Sequence, residues 1–117
     1  MPTVPFDRVK KLARTLPDVD VGTTYGAPAL KVRGKMFACI ASHRSAEPNT
    51  LAVRMSFLER DLRLSAEPKL YYLTPHYVNY PVVLCRLSRI GDDALRELLE
   101  VGWQFVHSTP KRRRSKS

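Results

Sequence analysis

The stretch Ala29-Leu30-Lys31-Val32-Arg33-Gly34-Lys35-Met36-Phe37-Ala38-Cys39-Ile40-Ala41-Ser42 decides the fold. Leu30 and Val32 flank Lys31 at the period of two that marks a half-buried strand. Arg33-Gly34 is a tight-turn signal, and residues 35–42 form a second, more apolar strand, so the pair predicts a β-hairpin. Upstream, Thr23-Thr24-Tyr25 is β-prone, Gly26 interrupts it, and 18–22 reads as a loop. Downstream, 43–49 holds Pro48, Ser45 and mixed charge, a loop composition. Residues 50–55 return to a strand pattern.

Helices bracket and interrupt these strands. Phe6, Val9, Leu12, Ala13 and Leu16 recur at helical spacing, which predicts an amphipathic helix of about ten residues. Pro5 suits its first turn and Pro17 stops it. Ser56-Phe57-Leu58-Glu59 is a capping box, so a short helix is expected over 57–64. A loop at 65–69, a short strand at 70–73, a proline-bounded aromatic loop at 74–81 and a strand at 82–87 follow. Asp92 or Asp93 is expected to cap the last helix. Its inner stripe is Leu95, Leu98, Leu99, Gly102, Trp103 and Val106, which places Trp103 between helix and sheet. Pro110 ends the domain, expected over 1–109, and 110–117 reads as a disordered basic tail. The order α-β-β-β-β-α-β-β-α with hairpin-type connections predicts an α+β, two-layer domain. Its sheet is mainly antiparallel with helices on one face.

The 117 residues fit one domain, and a 44% hydrophobic content is enough for one core. Cys39 and Cys85 lie far apart in apolar runs, the pattern of two reduced core thiols. The longest apolar run, 36–41, falls far short of the ~20 residues a membrane helix needs, and the first residues lack a secretory pattern. No membrane partner is expected, and a cytoplasmic location follows. Enzyme signatures are missing: there is no phosphate loop, G-x-S-x-G or H-E-x-x-H, and His43, His76 and His107 share no metal-ligand spacing. The chain is therefore read as a non-enzyme without cofactor or metal.

Net charge is +9, from 20 Lys and Arg against 11 Asp and Glu. Lys111, Arg112, Arg113, Arg114 and Lys116 supply five of these charges, which leaves +4 for the rest. Such a balance attracts nucleic acid non-specifically. Strand alternation adds three cations. With Leu30 and Val32, Leu51, Val53 and Met55, and Val83, Cys85 and Leu87 facing the helices, Lys31, Arg54 and Arg86 face away, on the same side of the sheet. Arg33 and Lys35 flank Gly34 at a hairpin tip that can approach a phosphate, and Arg44 adds the same sign. Separately, His76, Tyr77, Asn79 and Tyr80, with Tyr25 upstream, form a polar-aromatic group able to stack on a base or line a small-molecule pocket. No acidic residue between Glu67 and Asp92 is available to orient His76 as a base.

Two segments carry a family resemblance: 25–38, Tyr-Gly-Ala-Pro-Ala-Leu-Lys-Val-Arg-Gly-Lys-Met-Phe-Ala, and 74–87, Thr-Pro-His-Tyr-Val-Asn-Tyr-Pro-Val-Val-Leu-Cys-Arg-Leu. With Leu16-Pro17-Asp18-Val19 and the helix around 95–100, the chain resembles the MmcQ/YjbR family of small bacterial proteins over roughly residues 5–107. The resemblance implies a two-layer fold like the type III secretion chaperones. It also implies DNA binding through a double wing of hairpins, with no catalytic residues to carry over. Nucleic acid, bound mainly through phosphates with low sequence specificity, is the expected partner. A protein-interaction role and a small-molecule role for the 76–80 loop remain open alternatives.

Overall fold

The structure is a computed structural model that describes residues 5–24 and 26–108. Tyr25 and the tail cations Lys111, Arg112, Arg113 and Arg114 lie outside the described residues. The elements are α1 (Pro5–Ala13), β1 (Val19–Thr24), β2 (Ala27–Val32), β3 (Lys35–Ile40), β4 (Thr50–Arg54), α2 (Phe57–Ala66), β5 (Tyr71–Tyr72), β6 (Val82–Arg86) and α3 (Asp92–Ser108). The strands form one sheet in the order β1-β2-β3-β4-β6-β5, with every pair antiparallel. The chain is α+β, as its sequence predicts.

Register explains how the apolar run in β3 is shared between two faces. Leu30 pairs with Ala38 but Lys31 pairs with Met36, which leaves Phe37 as an extra residue, a β-bulge. Phe37 and Ala38 both enter the helix-side core, while Met36 and Cys39 lie on the other face. The main core joins Leu30, Val32, Leu51, Val53 and Val83 of the sheet to Val9 of α1 and Leu95, Leu98 and Leu99 of α3. The opposite face is not bare. Ala29, Cys39, Ala52 and Leu84 form a second, smaller cluster, covered in part by Met36, Ala46, Tyr72 and Tyr77.

Three expectations need correction. The segment 18–22 is not all loop: β1 begins at Val19, which pairs with Val32, after Asp18 turns the chain at φ 59°. Asp20 and Gly22, poor strand formers, hid the alternation of Val19 and Val21. The first helix ends at Ala13, and Leu16 N–H closes a turn onto Ala13 O at 3.0 Å. Trp103 is half-buried rather than enclosed. Its Nε1 donates to Pro17 O at 2.9 Å and its ring stacks on His107, 4.3 Å between centroids. Successive helical residues turn by about 100°, so with Gly102 at the sheet, Trp103 points toward the α1–β1 connection. Arg8 fastens α1 to the start of α3 by donating to Leu87 O, Ile90 O and Asp92 Oδ1. No helix among the described residues is long and apolar enough to cross a membrane.

Candidate functional site

Val32 pairs with Lys35, so Arg33 and Gly34 alone make the turn. Their φ angles are 54° and 79°, the all-positive signature of a type I′ hairpin turn. Gly34 takes that conformation freely, but Arg33 does not: a side chain in the left-handed region costs about 1–2 kcal/mol. Among the described residues, the other non-glycine residues with positive φ are Asp18 and Asn49, types that tolerate it. Arg33, Gly34 and Lys35 are all exposed, and nothing lies within 4 Å of where a Gly34 side chain would begin.

Of the remaining cations, Lys31 lies one pair below this turn, and Arg44 lies far from it. Register gives the backbones of Lys31, Arg54 and Arg86 the side of the sheet that alternation assigns, since Lys31 pairs with Met36, Arg54 with Val82 and Arg86 with Thr50, but the expectation that all three charges project from that side fails at Arg54. Each charge has its own surroundings. Arg86 donates to both carboxylate oxygens of Glu47 at 3.0 Å, and to Pro68 O and Lys69 O, while it lies 4.4 Å over the Tyr72 ring. That hydrogen bond holds the Glu47 carboxyl below its usual range. Arg54 swings its guanidinium to 5.6 Å from the Phe105 ring of α3, so its charge leaves the face its backbone occupies. Lys31 sits opposite Asp20 in the register, its stem against Gly22. Arg44 is exposed in the 41–49 loop, beyond the far end of β3; five strand steps of about 3.3 Å already put about 17 Å between it and Lys35.

The aromatic loop assembles with a partner that sequence reading did not select. His76 stacks on His43, with centroids 3.6 Å apart and rings 8° from parallel. Tyr77 meets both rings edge-on, and Tyr80 lies 6.3 Å from His76. His43 Nδ1 contacts Ser45 Oγ at 2.7 Å and accepts from Ser45 N–H at 3.1 Å, and Ser45 Oγ meets Thr74 Oγ1 at 2.8 Å. Tyr72 bridges Thr50 and the Glu47 N–H. Asn79 is exposed. A serine beside a histidine suggests a nucleophile, but the neighbouring carboxylate, Glu47, is committed to Arg86. Among the described residues no three potential metal ligands cluster.

This geometry makes a pH prediction. A backbone N–H that donates to Nδ1 requires the neutral ring. Desolvation, then the nearby His76 and Arg44, lower the His43 pKa. A depressed histidine adds stability that is complete above the ordinary value near 6.5 and lost as pH falls through the lowered one. Proton NMR should therefore show His43 titrating below 6.5, and His76→Ala should move it back up. Titration at the ordinary value in both proteins would contradict the stacked arrangement.

Sequence reading found His76, Tyr77 and Tyr80 but missed His43, Ser45, Glu47 and Thr74. No local pattern marks them, because the 41–49 loop has no periodicity and meets the 74–81 loop only after β4 has paired with β6.

Comparison with known proteins bears on the whole domain. The family model described as YjbR matches residues 14–105. An uncharacterized protein of Mycobacterium bovis is 42% identical over 40 residues, 34% of this chain and 31% of that protein. Uncharacterized proteins of two Mycobacterium tuberculosis strains match with the same figures. The chain thus spans about a third of the length of these curated relatives. The family match runs from the end of α1 almost to the end of α3 and takes in the whole sheet, and on that extent the chain belongs to the YjbR family.

Proposed function

We propose that this protein binds nucleic acid through phosphate contacts from the Arg33–Lys35 hairpin tip, supplemented by its other unpaired cations, and reads no bases. The observation that carries the proposal is Arg33 at φ 54°. Asparagine or glycine would form this turn at lower cost, and strain of this kind collects at functional positions. The +9 charge, the exposure of Lys35 and the open approach at Gly34 support the same reading. A hairpin that presents cations at its tip also suits the double-wing mode, in a cytoplasmic setting where nucleic acid is at hand.

Arg33→Asn tests this with opposite signs in two measurements. Thermal unfolding should show a gain of about 0.5–1 kcal/mol, part of the left-handed penalty recovered. Affinity for a short duplex at 0.1 M salt, read by fluorescence anisotropy, should fall about five- to tenfold for one lost phosphate contact. A more stable variant that binds as tightly as the parent removes the tip from the interface.

A second reading rests on a different surface. Phe57, Leu58 and Leu62 of α2 are exposed, as are Val78 and Tyr80. Arg60 joins the two groups, since its NH1 donates to Val78 O and Tyr80 O while it lies 4.7 Å over the Phe57 ring. Such a patch favours a protein partner. Binding there should be nearly indifferent to salt, whereas binding at the tip should not.

A further inference from the structure

We infer that the chain's own segment Lys111-Arg112-Arg113-Arg114-Ser115-Lys116 docks into a groove between α2 and α3. The groove encloses about 460 Å³ and has a mixed lining. Met55, Val101 and Phe105 give it an apolar floor, and Glu59, Glu97 and Glu100 stand at its walls. Glu97 and Glu100 are three residues apart and share a helix face. Glu59 faces them from the first turn of α2. None of the three carboxylates takes part in an ion pair among the described residues. Three unpaired acids at one groove stand out in a body whose net charge is +4 once the five tail cations are set aside.

Charge and reach both select the occupant. The segment carries five cations in six residues, and an apolar floor can take the stems of Arg and Lys while the rim meets their heads. Ser108, the last residue of α3, itself lines the groove, and the segment follows it in sequence after two residues. Glu100 lies eight helical steps before Ser108, about 12 Å, and Glu97 about 16 Å. The six residues beyond Pro110, 111–116, span about 20 Å when extended, so a chain that reverses near Pro110 has the length to reach back to Glu100 and Glu97. The negative end of the α3 dipole favours cations as well. Docked this way, the basic segment is withheld from nucleic acid until salt or a polyanion releases it. This concerns the tail and is independent of whether the hairpin tip binds phosphate.

The test uses the full chain with Ser115→Cys carrying a nitroxide. Cys39 and Cys85 are buried and their thiols are pushed up to about 11 and about 12, so at neutral pH they stay protonated and leave position 115 as the reactive thiol. At low salt the label should broaden the amide signals of Glu59 and residues 97–104, to the same degree at every protein concentration. The broadening should fade in high salt. In Glu59→Gln/Glu97→Gln/Glu100→Gln, occupancy should drop by about two- to fivefold per carboxylate. These glutamates are exposed, so the variant should keep the parent's circular dichroism spectrum and melting temperature. Broadening that misses the groove, or that survives the triple substitution, overturns the inference. So does broadening that passes to unlabelled copies in a mixed sample, which would assign the occupant to a second chain.

Discussion

Gly102→Leu is expected to cost about 3 kcal/mol or more, and so to remove a large part of a small domain's stability. Gly102 is where α3 comes closest to the sheet. A Cβ there would stand 2.7 Å from Val53 Cγ1, 3.1 Å from Phe37 O and 3.3 Å from Arg54 O. Val53 can rotate, but the two carbonyls are backbone in β3 and β4, and one of them sits at the bulge. Any side chain must push the helix outward, which opens the packing of Leu95, Leu98, Leu99 and Val106. Better helix propensity returns only about 1 kcal/mol. Gly102→Ala is the graded control, with a net loss of up to about 2 kcal/mol. Urea unfolding reads both. A leucine variant with the parent's midpoint would mean that α3 does not lie this close to β3 and β4.

Arg60→Met should cost about 2–3 kcal/mol by the same measurement, because charge-assisted hydrogen bonds are lost without replacement. Arg60 is only 8% exposed although it lies in an otherwise solvated helix. Its NH1 donates to Val78 O at 2.8 Å and Tyr80 O at 3.1 Å, and its Nε to Asp61 at 3.0 Å. It is the clasp that holds the 74–81 loop against α2. Methionine keeps the stem and loses every donor. Amide exchange in 76–80 should speed up, while exchange in β2 and β3 should follow only the global loss. Unchanged exchange in the loop would show that its own turns, Tyr77 N–H to Thr74 O and Tyr80 N–H to Tyr77 O, suffice.

What the sequence disclosed followed from local rules. The alternation around Lys31, the Arg33-Gly34 turn and the Ser56 cap, whose Oγ accepts from Glu59 N–H at 3.1 Å, are each set within a few residues. So the order of elements and the facing of the strands were legible. The bulge at Phe37 was not, because it depends on the partner strand's register. Trp103 was misplaced because its position on the apolar stripe did not reveal how little room Gly102 leaves. The histidine stack was invisible, since His43 and His76 lie on separate loops that meet only in the folded sheet. The cations were legible as charges, but their partners were not: Glu47 and Arg86 are 39 residues apart, and that pair withdraws Arg86 from the surface that alternation had assigned it.

The hairpin tip as a phosphate contact is tested most directly by the salt dependence of duplex binding. The logarithm of the binding constant is plotted against the logarithm of salt concentration for the parent and for Arg33→Asn/Lys35→Gln, both with residues 111–117 intact. Each lost phosphate contact flattens the slope by about 0.9, so two contacts should flatten it by about 1.8. Identical slopes in the two proteins would show that the tip touches no phosphate.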